Sequence, residues 1–199
     1  MTRAETETRI MKILLKDFAL NSTITSLAKE MEMSRVGVWK ALKKLEFEKF
    51  IILAPIGTGK TSAYRIKLNW ENRLVEKTLA LALEREAVSQ RRWAINFSEL
   101  EGKVDFLILF GSILHSPQKA NDIDILSIVS KKNVSMKIEN IVMKVQTTQL
   151  KHIHNIIFAP AGLRDELKKP NIAFINALKE GIVLFGQDKF MAFMREMQQ

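Results

Sequence analysis

The sequence predicts an α+β chain of two domains: a helical N-terminal domain closed by a β-hairpin, a connecting helix, and a C-terminal α/β domain with a mixed sheet and flanking helices. Three observations predict it. Apolar residues in the first third recur at helical spacing and then alternate, the stretch from Trp70 to Gln90 holds no glycine or proline, and beyond residue 97 near-continuous apolar runs separate amphipathic segments. With 199 residues, the chain has room for two small cores. The expected boundaries are 1–70, 71–96 and 97–199.

Composition narrows the function classes. No apolar run approaches the roughly 18 residues that span a bilayer, and Met1 to Glu7 is polar and acidic, so export and membrane insertion are not expected. The absence of cysteine rules out disulfides, zinc-thiolate sites and a thiol nucleophile, and fits a reducing cytoplasm. A net charge of +9 and a pI near 9.8 suit a polyanionic partner, and the first 70 residues are the more basic per residue.

From Glu5 to Leu20, Ile10, Ile13, Leu14 and Phe18 fall on one helical face. A turn at Asn21-Ser22 follows, and Thr25 is placed to cap a short second helix carrying Leu27, Ala28 and Met31. Ser34 caps a third helix from Arg35 to about Phe47, with Val38, Ala41, Leu42 and Leu45 inward and Arg35, Trp39, Lys40, Lys43 and Lys44 on or beside the exposed face. Residues 51–68 then read strand, glycine-containing turn, strand. Two short helices, the second bearing basic groups, match the layout whose second helix enters the major groove of DNA.

The segment TSLAKEMEMSRVGVWKALKKLEFEKFIIL resembles the winged helix-turn-helix family, with the hairpin as its wing. That resemblance implies binding to double-stranded DNA through Arg35, Trp39, Lys40, Lys43, Lys44 and, at the wing tip, Lys60. The string APIGTGKT, Ala54 to Thr61, also satisfies the relaxed form of a phosphate-binding loop. Such a loop needs a helix starting at its Lys-Thr, whereas SAYRIKL alternates as a strand does, so the string is read as the wing turn.

In the connecting helix Leu74, Leu81 and Val88 recur every seven residues, with Ala80 and Leu83 beside them, and Arg91-Arg92-Trp93 ends it. Val104 to Phe110 is a buried strand ended by Gly111-Ser112, and Asp122-Ile123-Asp124 leads into another. Residues i and i+2 of a strand share a face, so Asp122 and Asp124 present two carboxylates together, an arrangement suited to Mg²⁺ or Mn²⁺ with nucleotide phosphates. An amphipathic helix at about Val134 to Leu150 precedes a strand at 152–159, and a last helix follows Gly186-Gln187, marked by Phe185, Phe190 and Phe193 with Met191, Met194 and Met197, which are read as core or dimer packing.

The string LFGSILHSPQKANDIDILSIV looks like the signature of the polymerase-β-like nucleotidyltransferase superfamily in its minimal form. The stretch INALKEGIVLFG is similar to the helix and strand that close such domains. The resemblance implies that Gly111 and Ser112 hold a nucleoside triphosphate and that Asp122 and Asp124, the catalytic pair, hold the metals. This chain departs from the pattern in having Ile113, Leu114 and His115 after Gly-Ser and Asn121 before the first Asp. It also lacks the usual third carboxylate on the next strand, where Asn155 or His154 takes its place. His152 and His154 share a strand face, but two ligands without a third nearby do not make a metal site. The expected function is a DNA-binding transcriptional regulator with a nucleotide-binding second domain of weak or absent transfer activity. The alternative is an active transferase that modifies a small molecule or a protein such as a cognate toxin, and a homodimer is compatible with either.

Overall fold

The computed structural model describes residues 3–20, 22–56, 63–131, 133–169 and 171–198. They form a mixed α+β architecture in two compact units, Met1–Ala82 with Met194–Gln199, and Leu83–Phe193.

The first unit contains α1 (Arg3–Lys16), α2 (Ile24–Glu30), α3 (Arg35–Phe47) and the antiparallel pair β1 (Ile51–Ile56) and β2 (Ala63–Leu68). α1 buries Ile10, Met11, Leu14 and Leu15, a stripe rotated from the expected one toward Met11 and Leu15, while Ile13 and Phe18 are only half-buried. It stops short of Leu20 because the Asp17 carboxylate accepts hydrogen bonds from Ser22 N and Oγ, each 2.6 Å, which folds the chain back. The cap of α2 is Thr23 rather than Thr25. Thr23 Oγ1 accepts from Ser26 N at 3.0 Å while Ser26 Oγ accepts from Thr23 N at 2.8 Å, so two otherwise orphaned backbone donors are satisfied at once. α3 starts where the sequence places it, Ser34 Oγ accepting from Gly37 N at 3.1 Å, and its Val38, Leu42 and Leu45 are buried. A strand, not a helix, follows the glycine-containing segment, as the alternation predicts; residues 57–62, with Lys60 and the centre of the expected turn, lie outside the described residues.

α4 (Arg73–Ser89) carries the sequence boundary between the units. Its inward face is Val75, Leu79, Ala82, Leu83 and Ala87, whereas Leu74, Leu81 and Val88 are exposed. The seven-residue repeat therefore marks the outer side of the helix, because a denser stripe one residue away supplies more apolar area to the core. The C-terminal Gln198 belongs to the first unit: its Nε2 donates to the carbonyls of Leu14 and Leu15 at 2.8 and 3.0 Å, adding a side-chain donor to the last turn of α1.

In the second unit, α5 (Arg91–Asn96) and a 3₁₀ turn (Ser98–Leu100) lead into β3 (Phe106–Phe110), the single-turn α6 (Ser112–His115), β4 (Asp122–Ile128), α7 (Ser135–Gln146), β5 (His152–Phe158), α8 (Pro160–Lys168), α9 (Ile172–Glu180), β6 (Ile182–Phe185) and the first two turns of α10 (Gln187–Met197), whose residues from Met194 on count with the first unit. The sheet order is β5-β4-β3-β6, with β3 antiparallel to β4 and β6 and with β5 parallel to β4. One face, through Leu107, Leu109, Ile123, Ile125 and Ile153, packs on Trp93, Ile113 and the apolar side of α7. The other carries Phe106, whose ring lies 5.5 Å from Phe190 and 5.6 Å from Phe193 of α10. Phe185, Phe190, Met191, Phe193 and Met194 are buried within the chain, the first of the two expected roles, while Met197 is only half-buried.

Asp105 ties the start of β3 to two other elements. Its carboxylate accepts from Ser130 N at 2.6 Å, from Ser130 Oγ, and from Lys189 Nζ at 2.6 Å. Burial alone would raise its carboxyl, but the Lys189 and Ser130 hydrogen bonds outweigh it and hold the group below the usual carboxylate range. A depressed folded-state value means that the stabilisation is complete above the ordinary aspartate value of about 3.9 and is lost as pH falls through the folded one. Urea unfolding from pH 6 down to pH 2 is expected to show a steeper acid loss in the wild type than in Asp105→Asn, with the two converging at the acid end. Parallel curves would contradict the assignment.

Candidate functional site

Two places hold the residues singled out in the sequence, one in each unit. On α3, Arg35 and Lys40 are exposed and form no ion pair among the described residues. Lys43 is exposed but pairs with Glu46 at 2.7 Å and lies 4.8 Å over the Trp39 ring. Trp39 itself is half-buried, its ring 5.4 Å from that of Tyr64 on β2, so it braces the hairpin against the helix. Lys44 is turned to Glu7 of α1 at 2.7 Å and to Glu48 at 3.5 Å, which compensates its charge within the fold. The sequence reading missed Val36 and Phe47, 64% and 87% exposed, which share the outward face with Lys40 and Lys43. The signal was present: two apolar residues opposite a complete inward stripe have no core to enter.

In the second unit the candidate site is built at one end of the sheet. β3 ends at Phe110, which pairs with Asp124, and the chain turns at Gly111 with φ +81° and ψ −164°. This backbone region is open almost only to glycine. The space where a side chain would start is occupied by the Asp124 carboxylate, whose Cγ lies 3.4 Å from that point. Gly111 thus has two reasons to be glycine, and the second links the turn to the second aspartate. Asp122, at the first position of β4, points to the same face, and Ser112 opens α6 exposed to solvent.

The parallel register of β5 sets His152 beside Asp122 and His154 beside Asp124. All four side chains lie on one face, and His154 Nδ1 is 3.4 Å from Asp124 Oδ1. Asn155 falls on the opposite face, where its Oδ1 accepts from Ser127 Oγ at 2.8 Å. Of the two residues, His154 and Asn155, only His154 shares the face of Asp122 and Asp124. The expectation that the two histidines lack a third ligand is also corrected. Asp122, His152 and His154 each offer one ligand atom, all within 4.8 Å of one another. A single sequence could not show this, since 30 residues separate Asp122 from His152 and the register between parallel strands is a tertiary property.

Among the described residues, no helix is long and apolar enough to cross a membrane. Comparison with known protein families, with characterised proteins and with solved structures returns no match.

Proposed function

We propose that the chain is a DNA-binding regulator whose second unit takes up a nucleoside triphosphate with a divalent cation. The observation that carries the second half is the packing of the Asp124 carboxylate against Gly111, beside Asp122 and next to the exposed Ser112. A glycine in an extended left-handed conformation lets phosphate oxygens approach the backbone, and two carboxylates beside it supply oxygen ligands for the Mg²⁺ or Mn²⁺ that neutralises them. Transfer is slow or absent in this reading, because β5 offers imidazoles where a carboxylate base would activate an attacking hydroxyl. The test is calorimetric titration of the full chain with ATP, GTP, CTP and UTP in the presence of Mg²⁺ or Mn²⁺, alongside radiolabel transfer to the protein or to co-purified partners. Saturable binding with little transfer supports the reading, rapid transfer turns it into the enzyme alternative, and no binding with either metal removes it.

The first half rests on α3. A helix of this size fits the major groove, Arg35 and Lys40 are placed to meet phosphates, and Val36, near the helix N-terminus, can contact a thymine methyl. Arg35→Glu combined with Lys40→Glu leaves the core untouched and is expected to lower duplex affinity about a hundredfold at 0.1 M salt. The slope of log affinity against log salt should fall by about 1.8, from two phosphate contacts at about 0.9 each. Fluorescence anisotropy with labelled duplex measures both, and an unchanged affinity would refute DNA binding by this face.

A further inference from the structure

We propose that Asp122, His152 and His154 form a binding site for one divalent transition-metal ion of the kind that accepts imidazole nitrogen, Zn²⁺ or Co²⁺, occupied without any nucleotide. The site shares Asp122 with the nucleotide reading above but does not depend on it.

The backbone supplies the arrangement. β4 and β5 are parallel neighbours, and their first residues, Asp122 and His152, are directly paired, with Asp124 and His154 the next pair on the same face. Adjacent strands lie about 4.8 Å apart and same-face neighbours along a strand about 6.6 Å, so the four groups start from a compact rectangle whose corners are set by the ladder rather than by loops. Placement on rigid elements keeps the cost of assembling such a site low.

The side chains are already close to a ligand set. One ligand atom from each of Asp122, His152 and His154 lies within 4.8 Å of the other two. Tetrahedral coordination with bonds of about 2.0–2.1 Å needs ligand atoms about 3.4 Å apart. The difference is within reach of χ rotation alone, because both imidazoles are exposed and free of core packing. The two rings sit with centroids 4.6 Å apart at an interplanar angle of 63°, side by side without being stacked flat on one another.

Asp124 has a different part in this site. Its Oδ1 faces His154 Nδ1 at 3.4 Å. Metal-binding histidines usually donate their other ring N–H to a carboxylate, which fixes the tautomer and aims the free nitrogen at the ion. An Asp124 carboxylate on Nδ1 leaves Nε2 of His154 as the ligand atom. The packing of Asp124 against Gly111 holds that carboxylate in turn, so the glycine supports the histidine through it.

The donor set selects the ion. Mg²⁺ prefers six oxygens and keeps much of its water, whereas two nitrogens and one carboxylate suit Zn²⁺, Co²⁺ and their neighbours. Three protein ligands at a half-exposed site leave a coordination position for water or a phosphate oxygen.

The chain has three histidines, and the third, His115, sits apart beside Glu180 at 3.7 Å, which makes it an internal control. Metal-stripped full-length protein is titrated with Co²⁺, followed by visible absorption and calorimetry, and in parallel with Mg²⁺, all without nucleotide. The expected result is one Co²⁺ per chain, bound at least a hundredfold more tightly than Mg²⁺. His152→Ala and His154→Ala should each weaken Co²⁺ binding at least tenfold, and His115→Ala should leave it unchanged. Both altered positions are exposed, so circular dichroism should report an intact fold. The absence of a saturable Co²⁺ site, or a His152→Ala/His154→Ala double variant that binds Co²⁺ like the wild type, overturns the proposal. The nucleotide reading is scored apart from it: wild-type protein that binds Co²⁺ but no Mg²⁺-nucleotide loses only that reading, and protein that binds Mg²⁺-nucleotide but no Co²⁺ loses only the metal site.

Discussion

Asp122→Asn together with Asp124→Asn is expected to abolish metal-dependent nucleotide binding, a loss of more than about a hundredfold, while the thermal midpoint stays within about 2 °C of the wild type. Both side chains are half-buried on one face of β4, and neither anchors the core. Asparagine keeps the shape and removes the charge. At an effective dielectric constant near 20, unit charges about 4 Å apart interact by about 4 kcal/mol. A doubly charged cation that loses both carboxylates therefore loses far more than the 2.7 kcal/mol that corresponds to about a hundredfold. Stability does not fall, because two like charges on adjacent same-face positions repel when no cation lies between them. Calorimetry with Mg²⁺ and the best-binding triphosphate measures the first effect and scanning fluorimetry the second. A double variant that binds as well as the wild type would show that the nucleotide, if bound, sits elsewhere.

Gly186→Ala is expected to destabilise the second unit by about 3 kcal/mol or more. The residue joins β6 to α10 with φ +76°, a conformation that costs a residue with a side chain about 1 kcal/mol or more. The larger effect is steric. An added methyl would collide with the Asp105 carbonyl oxygen and lie 2.8 Å from Phe106 Cα, and both are backbone at the start of β3. No rotamer change relieves that contact, so the strand or the helix start must move, and overpacking of this kind costs about 1–3 kcal/mol beyond the strain. The displaced strand also carries the Asp105 hydrogen bonds to Ser130 and Lys189. At about 2–4 °C per kcal/mol for a chain of this size, the midpoint should drop by about 10 °C. A shift under 2 °C would mean that the turn tolerates a side chain.

Much of the local structure was legible in the sequence, for reasons that are themselves local. The third helix begins at its Ser34 cap and keeps Val38, Leu42 and Leu45 inward, because cap chemistry and 3.6-residue periodicity act within one turn. The pairing of Asp122 with Asp124 on one face, and the strand after the glycine-containing segment, follow from the two-residue period of a strand. Choices between near-equivalent local options were less legible. Thr23 outcompetes Thr25 because only it forms a reciprocal bond with Ser26, and the seven-residue row of Leu74, Leu81 and Val88 is left outside because a denser stripe lies beside it.

What the sequence by itself determined was therefore the order of the longer helices and the strands, the Ser34 cap and the set of chemically able residues. Only the tertiary structure decided which of them meet. Register between β4 and β5 brings His152 to Asp122 and His154 to Asp124 while sending Asn155 to the other face. The fold of the first unit turns Lys44 toward Glu7 and sets Gln198 on the last carbonyls of α1. Contacts between residues distant in the chain depend on how whole apolar faces pack and on the register that packing allows, and a one-residue slip would exchange every face of a strand. That energy is spread over many side chains rather than carried by any short motif.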